Sequence, residues 1–363
     1  MAPRSRPPRD AAATRSMARR RRRRRALAAL ALTGALIAGT AYGAWRYIDE
    51  NEYLLDEHCE AVVAGETQRL SPAQAYSAAF LSASAAERGL PPEAALHAIA
   101  ISLQETDLEL REDEGELGER VLFARGVGSW AGEGSAEGTP IDSAGFYDLL
   151  EERAAAEDVD EDEDSEDEDA VVWEPDMPLD EASEALLRPH NPQFYPEHRS
   201  RAETFLSPLA GQSEASLTCT LSQLEDEIPS PDPQGVSEEL VALLPAALEI
   251  PSTEYEGDEE DEEAEDFDPE PIPEGIVDLE GSSESGIVTV TPPENSELLD
   301  EGYSMDWMLA HWAVASAREY GIQTVELDSR MWDRDAAGWT DSSREDVAEN
   351  TVRIGFDRDW DEE

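Results

Sequence analysis

Two cysteines, Cys59 and Cys219, are the residues of this chain that could form a covalent bond with each other. Two cysteines carry little information in a reducing cytosol, but in an oxidising compartment an even count favours a disulfide. A bridge across the loop between them would stabilise the fold by about 4–5 kcal/mol on the loop-entropy model. The pair predicts a disulfide if the protein is exported.

The histidines in the first two thirds of the chain do not have the spacing of a metal site. His58, His97, His190 and His198 show no metal-ligand spacing with one another or with the cysteines. The sequence also contains no phosphate-binding loop, dinucleotide fingerprint or nucleophile elbow. We therefore predict neither a bound metal nor a cofactor.

Charge divides the chain into two very different parts. The formal net charge is −58 at pH 7, and residues 1–25 hold eleven arginines against one acid, Asp10. That segment carries +10, which leaves −68 on the other 338 residues. So negative a body repels nucleic acid instead of neutralising its phosphates, and we exclude nucleic-acid binding.

An uncharged stretch at residues 26–45 follows the seven adjacent arginines Arg19 to Arg25. As a helix it would be ~30 Å long, the thickness of the hydrocarbon core of a bilayer. Because positive residues stay in the cytoplasm, we predict a single-pass protein of the cell membrane, with 1–25 as a cytoplasmic tail and the bulk outside. The alternative is a cleaved signal peptide with its site at Ala41-Tyr42-Gly43.

Two acidic tracts separate segments that have apolar spacing. Residues 157–169 hold eleven acids in thirteen positions, and 254–270 hold twelve in seventeen. Such blocks repel themselves and bury little apolar surface, so we predict disorder at both. The tract 157–169 does not match an EF-hand calcium loop, because Glu163 stands where the loop needs its turn glycine. The two tracts therefore predict no more than a weak attraction of divalent cations.

The segments between the tracts predict two folded modules. A mainly helical module is expected at 52–222, with a disordered acidic insertion at 154–170. A Pro-rich acidic linker is expected at 223–285, and a small α/β module at 286–357.

The helical module has clear helix signals. Ser71-Pro72-Ala73-Gln74 is typical of a helix start, with Ser as the N-cap and Gln three residues later. This helix should run to Arg88 and end at Gly89. A second helix should open at Pro91-Pro92 and carry Glu105 at its C-terminal end.

The C-terminal module has strand and helix signals in alternation. Residues 287–290 (IVTV) favour a strand, and Met305 to Tyr320 favours a helix closed by Gly321. Further strands are expected at 322–327 and 351–356.

Short motifs distributed over residues 59–222 carry a resemblance. They are Cys59, Leu70–Ala75 (LSPAQA), Arg88–Pro91 (RGLP), Ala98–Thr106, Phe146–Asp148, Trp173, Tyr195 with His198, and Leu217–Cys219. On these residues the segment resembles an uncharacterised actinobacterial family of single-pass envelope proteins. The arrangement is similar to that of lysozyme-like lytic transglycosylases, which implies a lysozyme-like fold.

The resemblance assigns one candidate catalytic residue. In lytic transglycosylases the glutamate that ends this helix is the general acid/base, a position that corresponds to Glu105. Glycoside cleavage requires such a carboxyl in apolar surroundings, and Glu105 precedes Phe123 and Trp130. The Gly-Leu-Phe-Gln-Gln segment of the family reads VLFAR at 121–125, without either glutamine. We therefore expect the fold without the activity.

Residues 303–357 carry a second resemblance, on Trp307–Ala317, Tyr320–Ile322, Arg330–Trp332 and Gly338-Trp339. They resemble the end of domains related to the zinc D-Ala-D-Ala carboxypeptidases, whose last strand holds a metal-binding histidine. Here that strand reads Val352-Arg353-Ile354, and arginine is not a zinc ligand. His311, the single histidine of the segment, is expected in the core or on the surface. The segment is thus expected to be a scaffold or a binding surface.

Together these patterns predict a non-catalytic, membrane-anchored, extracytoplasmic protein of the cell envelope. Its expected partners are the membrane and the peptidoglycan or proteins of the envelope. One alternative is a peptidoglycan glycosidase or lytic transglycosylase that uses Glu105. The other is an acidic surface protein that binds divalent cations.

Overall fold

The computed structural model describes residues 57–109, 111–112, 120–123, 141–155, 172–187, 189, 191–224, 227–250, 275–281, 286–293, 302–342, 348 and 350–357. The predicted basic tail, the predicted membrane helix and both acidic tracts lie outside these residues. The described residues belong to one unit, Glu57–Glu363, with a continuous apolar core.

Helices supply most of that core. They are α1 (Pro72–Glu87), α2 (Pro92–Glu105), α3 (Ser143–Ala155), α4 (Leu179–Leu187), α5 (Arg199–Leu209), α6 (Pro233–Leu243), α7 (Met305–Ala315) and α8 (Ala317–Tyr320). A 3₁₀ helix, Pro192–His198, leads directly into α5.

In the part of the chain that the structure describes, the strands form three antiparallel sheets. They are β1 (His58–Val63), β2 (Glu66–Leu70), β3 (Arg111–Glu112), β4 (Arg120–Phe123), β5 (Ile141–Asp142), β6 (Leu217–Thr220), β7 (Val277–Glu280), β8 (Ile287–Val290), β9 (Thr324–Leu327), β10 (Arg330–Asp333), β11 (Gly338–Asp341) and β12 (Val352–Gly355). The first sheet has the order β2-β1-β6, the second β11-β10-β9-β12-β8-β7, and the third β3-β4-β5.

The start of α1 is fixed by its own sequence, and the predicted capping box is confirmed. The hydroxyl of Ser71 accepts a hydrogen bond from the backbone N–H of Gln74, and the Gln74 side chain accepts one from the backbone N–H of Ser71. These two bonds satisfy N–H groups that have no partner within the helix. The helix ends at Glu87, two residues before Gly89, which has a φ of 65°.

Side chains of the β10–β11 hairpin join the second sheet to the first. Trp332 Nε1 donates to Thr218 Oγ1 at 3.0 Å, and Thr218 Oγ1 donates to the carbonyl of Ala337 at 2.9 Å. Trp339 Nε1 donates to the carbonyl of Leu217 at 2.8 Å. Helix α7 packs against α1, α5, β6 and β9, so the same helix contacts a strand of both the first and the second sheet.

A buried arginine strengthens this junction. Arg334 is 1% exposed. Its guanidinium donates to the carbonyls of Ser222, Ala317 and Ile322. Glu57 accepts from the backbone N–H of Ser222 at 2.7 Å and from Arg318 at 3.0 Å. Residues from both predicted modules therefore share one polar network.

The prediction of a mainly helical, lysozyme-like fold is wrong. Strands β1, β2 and β6 form a sheet within 52–222, and the C-terminal sheet is antiparallel throughout its described strands. The stretch 223–285, predicted as a linker, contains α6 and β7, and β7 forms an edge of the second sheet. Short strands with one exposed face, such as β2 with the sequence ETQRL, carry too little apolar pattern to be recognised alone.

The structure does not support the predicted single-pass location in the cell membrane. None of the helices in the described ranges is long and apolar enough to cross a bilayer. The stretch 26–45, on which the prediction was based, lies outside those ranges, and the function proposed below does not depend on an anchor.

Candidate functional site

Glu105 is the last residue of α2 and lies in the wall of an open pocket of about 480 Å³. The helix buries its apolar side chains, whereas Gln104 and Glu105 at its C-terminal end are half-buried. The pocket is lined by Leu103, Gln104, Glu105, Thr106, Asp107, Glu109 and His198. Apart from Leu103, each of these side chains can form hydrogen bonds.

The 3₁₀ helix brings Tyr195 to Glu105. The hydroxyl of Tyr195 donates to Oε1 of Glu105 at 3.1 Å, across 90 residues of sequence. Burial raises the pKa of Tyr195 far above its ordinary value of 10, and the nearby charge of Glu105 raises it further. The phenol therefore stays protonated and remains a donor throughout the neutral range.

A second pair lies beside the first. The ring Nε2 of His198 and Oε1 of Gln104 are 2.9 Å apart, and because an amide oxygen only accepts, His198 donates through Nε2. Burial lowers the pKa of His198, and Arg201 lowers it further, while Glu197 and Asp107 oppose this. The lowered pKa favours the neutral ring.

The turn after Glu105 is tied down from several directions. Ser102 Oγ and Thr106 Oγ1 both donate to the carbonyl of Leu122 in β4, at 3.0 and 2.7 Å. Asp107 and Leu108 both have a φ of 56°, a left-handed conformation that is uncommon for residues with a side chain. Leu108 is fully buried, which holds the turn in this shape.

The two cysteines form a disulfide away from the pocket. Cys59 of β1 and Cys219 of β6 are a directly opposed pair in the antiparallel register, and their sulfur atoms are bonded. Both side chains are fully buried. The disulfide therefore has a structural role within the first sheet.

The histidines that the structure describes do not come together as a metal site. His58 lies on β1, His97 and His311 are fully buried on α2 and α7, and His198 lies at the pocket, while His190 is outside the described residues. Within the described ranges no group of three or more His, Cys, Asp or Glu side chains could hold a metal ion. Arg353 of β12 lies 3.6 Å from the buried carboxylate of Glu326.

Comparison with family models, curated proteins and solved structures found no match to this chain.

Tyr195, His198 and Gln104 join Glu105 at the site. The sequence singled out Tyr195 and His198 as part of the resemblance, but it assigned a functional role to Glu105 alone. Tyr195 and His198 are three residues apart on a 3₁₀ helix, which has three residues per turn, so their side chains share one face. That spacing is the signal that sequence reasoning missed. The three-residue spacing indicates a shared face only if Pro192–His198 is known to be a 3₁₀ helix, and it points to the pocket only if that helix is known to pack on α2.

Proposed function

We propose that this protein is a non-catalytic binding protein of an oxidising compartment, and that it binds cell-wall glycan in the pocket at the end of α2. The disulfide supports the choice of compartment, because structural disulfides persist where thiols are not kept reduced. The resemblance of residues 59–222 to envelope proteins supports the choice of ligand.

The observation that carries the proposal is the pair of hydrogen bonds that fix the pocket's polar side chains. Glu105 is held by Tyr195, and Gln104 by His198. A binding site for a hydroxylated ligand needs polar groups fixed in advance, because ordering them on binding would reduce the affinity. Gln104 has its oxygen engaged by His198, which leaves the amide N–H₂ as the part of this side chain that can donate to a sugar hydroxyl.

The test is co-sedimentation of the full chain with purified peptidoglycan, measured for the wild type and for Gln104→Ala. Loss of a ligand hydrogen bond worth ~1.4 kcal/mol weakens binding about tenfold. Gln234→Ala serves as the matched control, because Gln234 is an exposed glutamine on α6 that is bonded to Glu238. Equal binding by all three proteins would rule out this pocket as the glycan site.

A glycosidase is the second candidate, and the position of Glu105 at a helix end in a pocket favours it. The lining argues the other way, because a general acid in a glycosidase requires apolar surroundings and this pocket also presents Asp107 and Glu109. We expect no release of soluble muropeptides from peptidoglycan by the wild type. Release that disappears in Glu105→Gln, but not in the control Glu238→Gln on α6, would establish the enzyme.

A further inference from the structure

His97 lies two turns before the end of α2, and hydrogen bonds engage both of its ring nitrogens. Trp173 Nε1 donates to His97 Nδ1 at 2.9 Å, and His97 Nε2 lies 3.1 Å from the carbonyl of Met177. An indole N–H only donates and a carbonyl only accepts. The pattern therefore requires a neutral imidazole with its proton on Nε2.

The segment that His97 holds leads to the pocket. Trp173 and Met177 precede α4, which packs against the 3₁₀ helix that carries Tyr195 and His198. Both α4 and the 3₁₀ helix pack against α2. His97 and Gln104 are seven residues apart on α2 and so lie on the same face. One face of α2 thus contacts this segment in the middle of the helix and again at its end.

We propose that His97 is a positioning residue for the pocket, and that its protonation releases the segment from Trp173 to His198 so that the pocket loses its ligand in acid. The inference rests on the proposed function only for its ligand-binding readout. The release of the segment follows from the contacts of His97 alone.

Protonation breaks the contact because a charged imidazole donates through both nitrogens. Nδ1–H would then face the indole N–H of Trp173, and a charge would be left in a fully buried position. Burial lowers the pKa of His97 to about 4, and the positive charge of Arg199 at the start of α5 acts in the same direction. The bond to Met177 acts in the opposite direction.

The other charged groups on the neighbouring elements lie nearer the surface. Glu174 and Asp176, beside Trp173, are exposed, as is Glu197 of the 3₁₀ helix, while Asp180 of α4 is half-buried. Because the folded pKa lies below the ordinary 6.5, the contact is at full strength above pH 6.5. It is lost as the pH falls through about 4.

The test is amide hydrogen exchange of the full chain, corrected for the intrinsic effect of pH, in the wild type and in His97→Gln. Glutamine can accept from Trp173 and donate to Met177, yet it does not titrate. From pH 6.5 to 4 we expect protection of peptides covering Trp173 and Tyr195 to fall at least about tenfold in the wild type and to persist in the variant. An equal fall in both proteins would overturn the proposal.

Binding to purified peptidoglycan at the same pH values gives the second readout. We expect the wild type to lose binding near pH 4 and His97→Gln to keep it. If the wild type does not bind at pH 7, the proposed function fails, and hydrogen exchange alone decides the role of His97.

A second variant covers the case in which His97→Gln does not fold. Trp173→Phe removes the indole donor, and with it the contact that protonation of His97 is proposed to break. The fall in protection between pH 6.5 and 4 should therefore be smaller in Trp173→Phe than in the wild type. An equal fall in the two proteins would contradict the proposal.

Discussion

Cys59 and Cys219 lie directly opposite each other on the antiparallel strands β1 and β6, and their disulfide closes a loop with a sequence separation of 160 residues. Every residue that lines the pocket belongs to that loop. The cross-link therefore constrains, in the unfolded chain, the same segments that must come together to build the site.

Removing the disulfide should destabilise the fold strongly. For Cys59→Ala combined with Cys219→Ala, the loop-entropy model gives a loss of up to about 5 kcal/mol in the free energy of unfolding. Urea denaturation of the double variant and the oxidised wild type measures the difference. Coincident unfolding curves would show that the cross-link does not constrain the unfolded chain.

His311 should make the fold sensitive to acid. Its Nδ1 donates to the carbonyl of Pro208 at 2.8 Å, and its ring packs between Trp307 and Trp339. Burial lowers its pKa to about 4, against the opposing effects of the bonds to Pro208 and Trp307 and of the charge of Asp306.

The direction in which stability changes with pH follows from the lowered pKa of His311. The unfolded chain takes up the proton near pH 6.5 and the folded chain only near 4, so stability is full above 6.5 and is lost as the pH falls through 4. The loss amounts to about 3 kcal/mol. His311→Gln should flatten this acid limb in urea titrations at pH 7, 5 and 4. A variant with the slope of the wild type would refute the assignment.

Gly211 should not tolerate a side chain. It has a φ of 73°, and a Cβ atom there would lie 2.1 Å from the carbonyl oxygen of Ser304, the residue that precedes α7. Gly211→Ala therefore combines an unfavourable backbone conformation with a clash against backbone, and we expect a loss of more than about 3 kcal/mol.

The matched control is Gly89→Ala. Gly89 has a similar φ of 65°, but a Cβ atom would meet nothing within 4 Å. It should cost only about 1 kcal/mol, the price of the backbone conformation. Thermal denaturation of both variants separates the two effects, and equal losses would show that the contact with Ser304 is not tight.

Truncation should show that the two predicted modules do not fold apart. A chain that ends at Gln223 lacks α7 and the tryptophans that bond to Thr218 and Leu217. Because this removes one side of a shared core, we expect poor dispersion of its amide proton resonances by NMR. A folded fragment with the wild-type chemical shifts around Cys219 would restore the picture of independent modules.

The features that could be predicted from the sequence are those determined within a few residues. The start of α1 follows from Ser71, Pro72 and Gln74, and the end of α2 places Glu105 at a helix terminus whatever else surrounds it. The strand Ile287–Val290 was also recognisable from its β-branched residues. Each of these signals is local, so one sequence is enough to detect it.

The features that escaped prediction depend on distant partners. β6 pairs with β1 across about 160 residues, and β7 adds to a sheet from a stretch rich in acids and prolines. At the site, Tyr195 reaches Glu105 across 90 residues. Side-chain pattern does not specify which short strands pair or which helices touch, because those choices are made by the packing of the whole core.

The position of β12 sets the order in which this protein can be completed. β12 lies between β9 and β8, so the pairs β7–β8 and β9–β10 remain two separate sheet fragments until residues 352–355 have been synthesised. Until then each fragment presents an open edge to other chains. A chain in which β12 has not yet joined the sheet is therefore more prone to edge-to-edge pairing with other chains, through β8 and β9, than the finished fold.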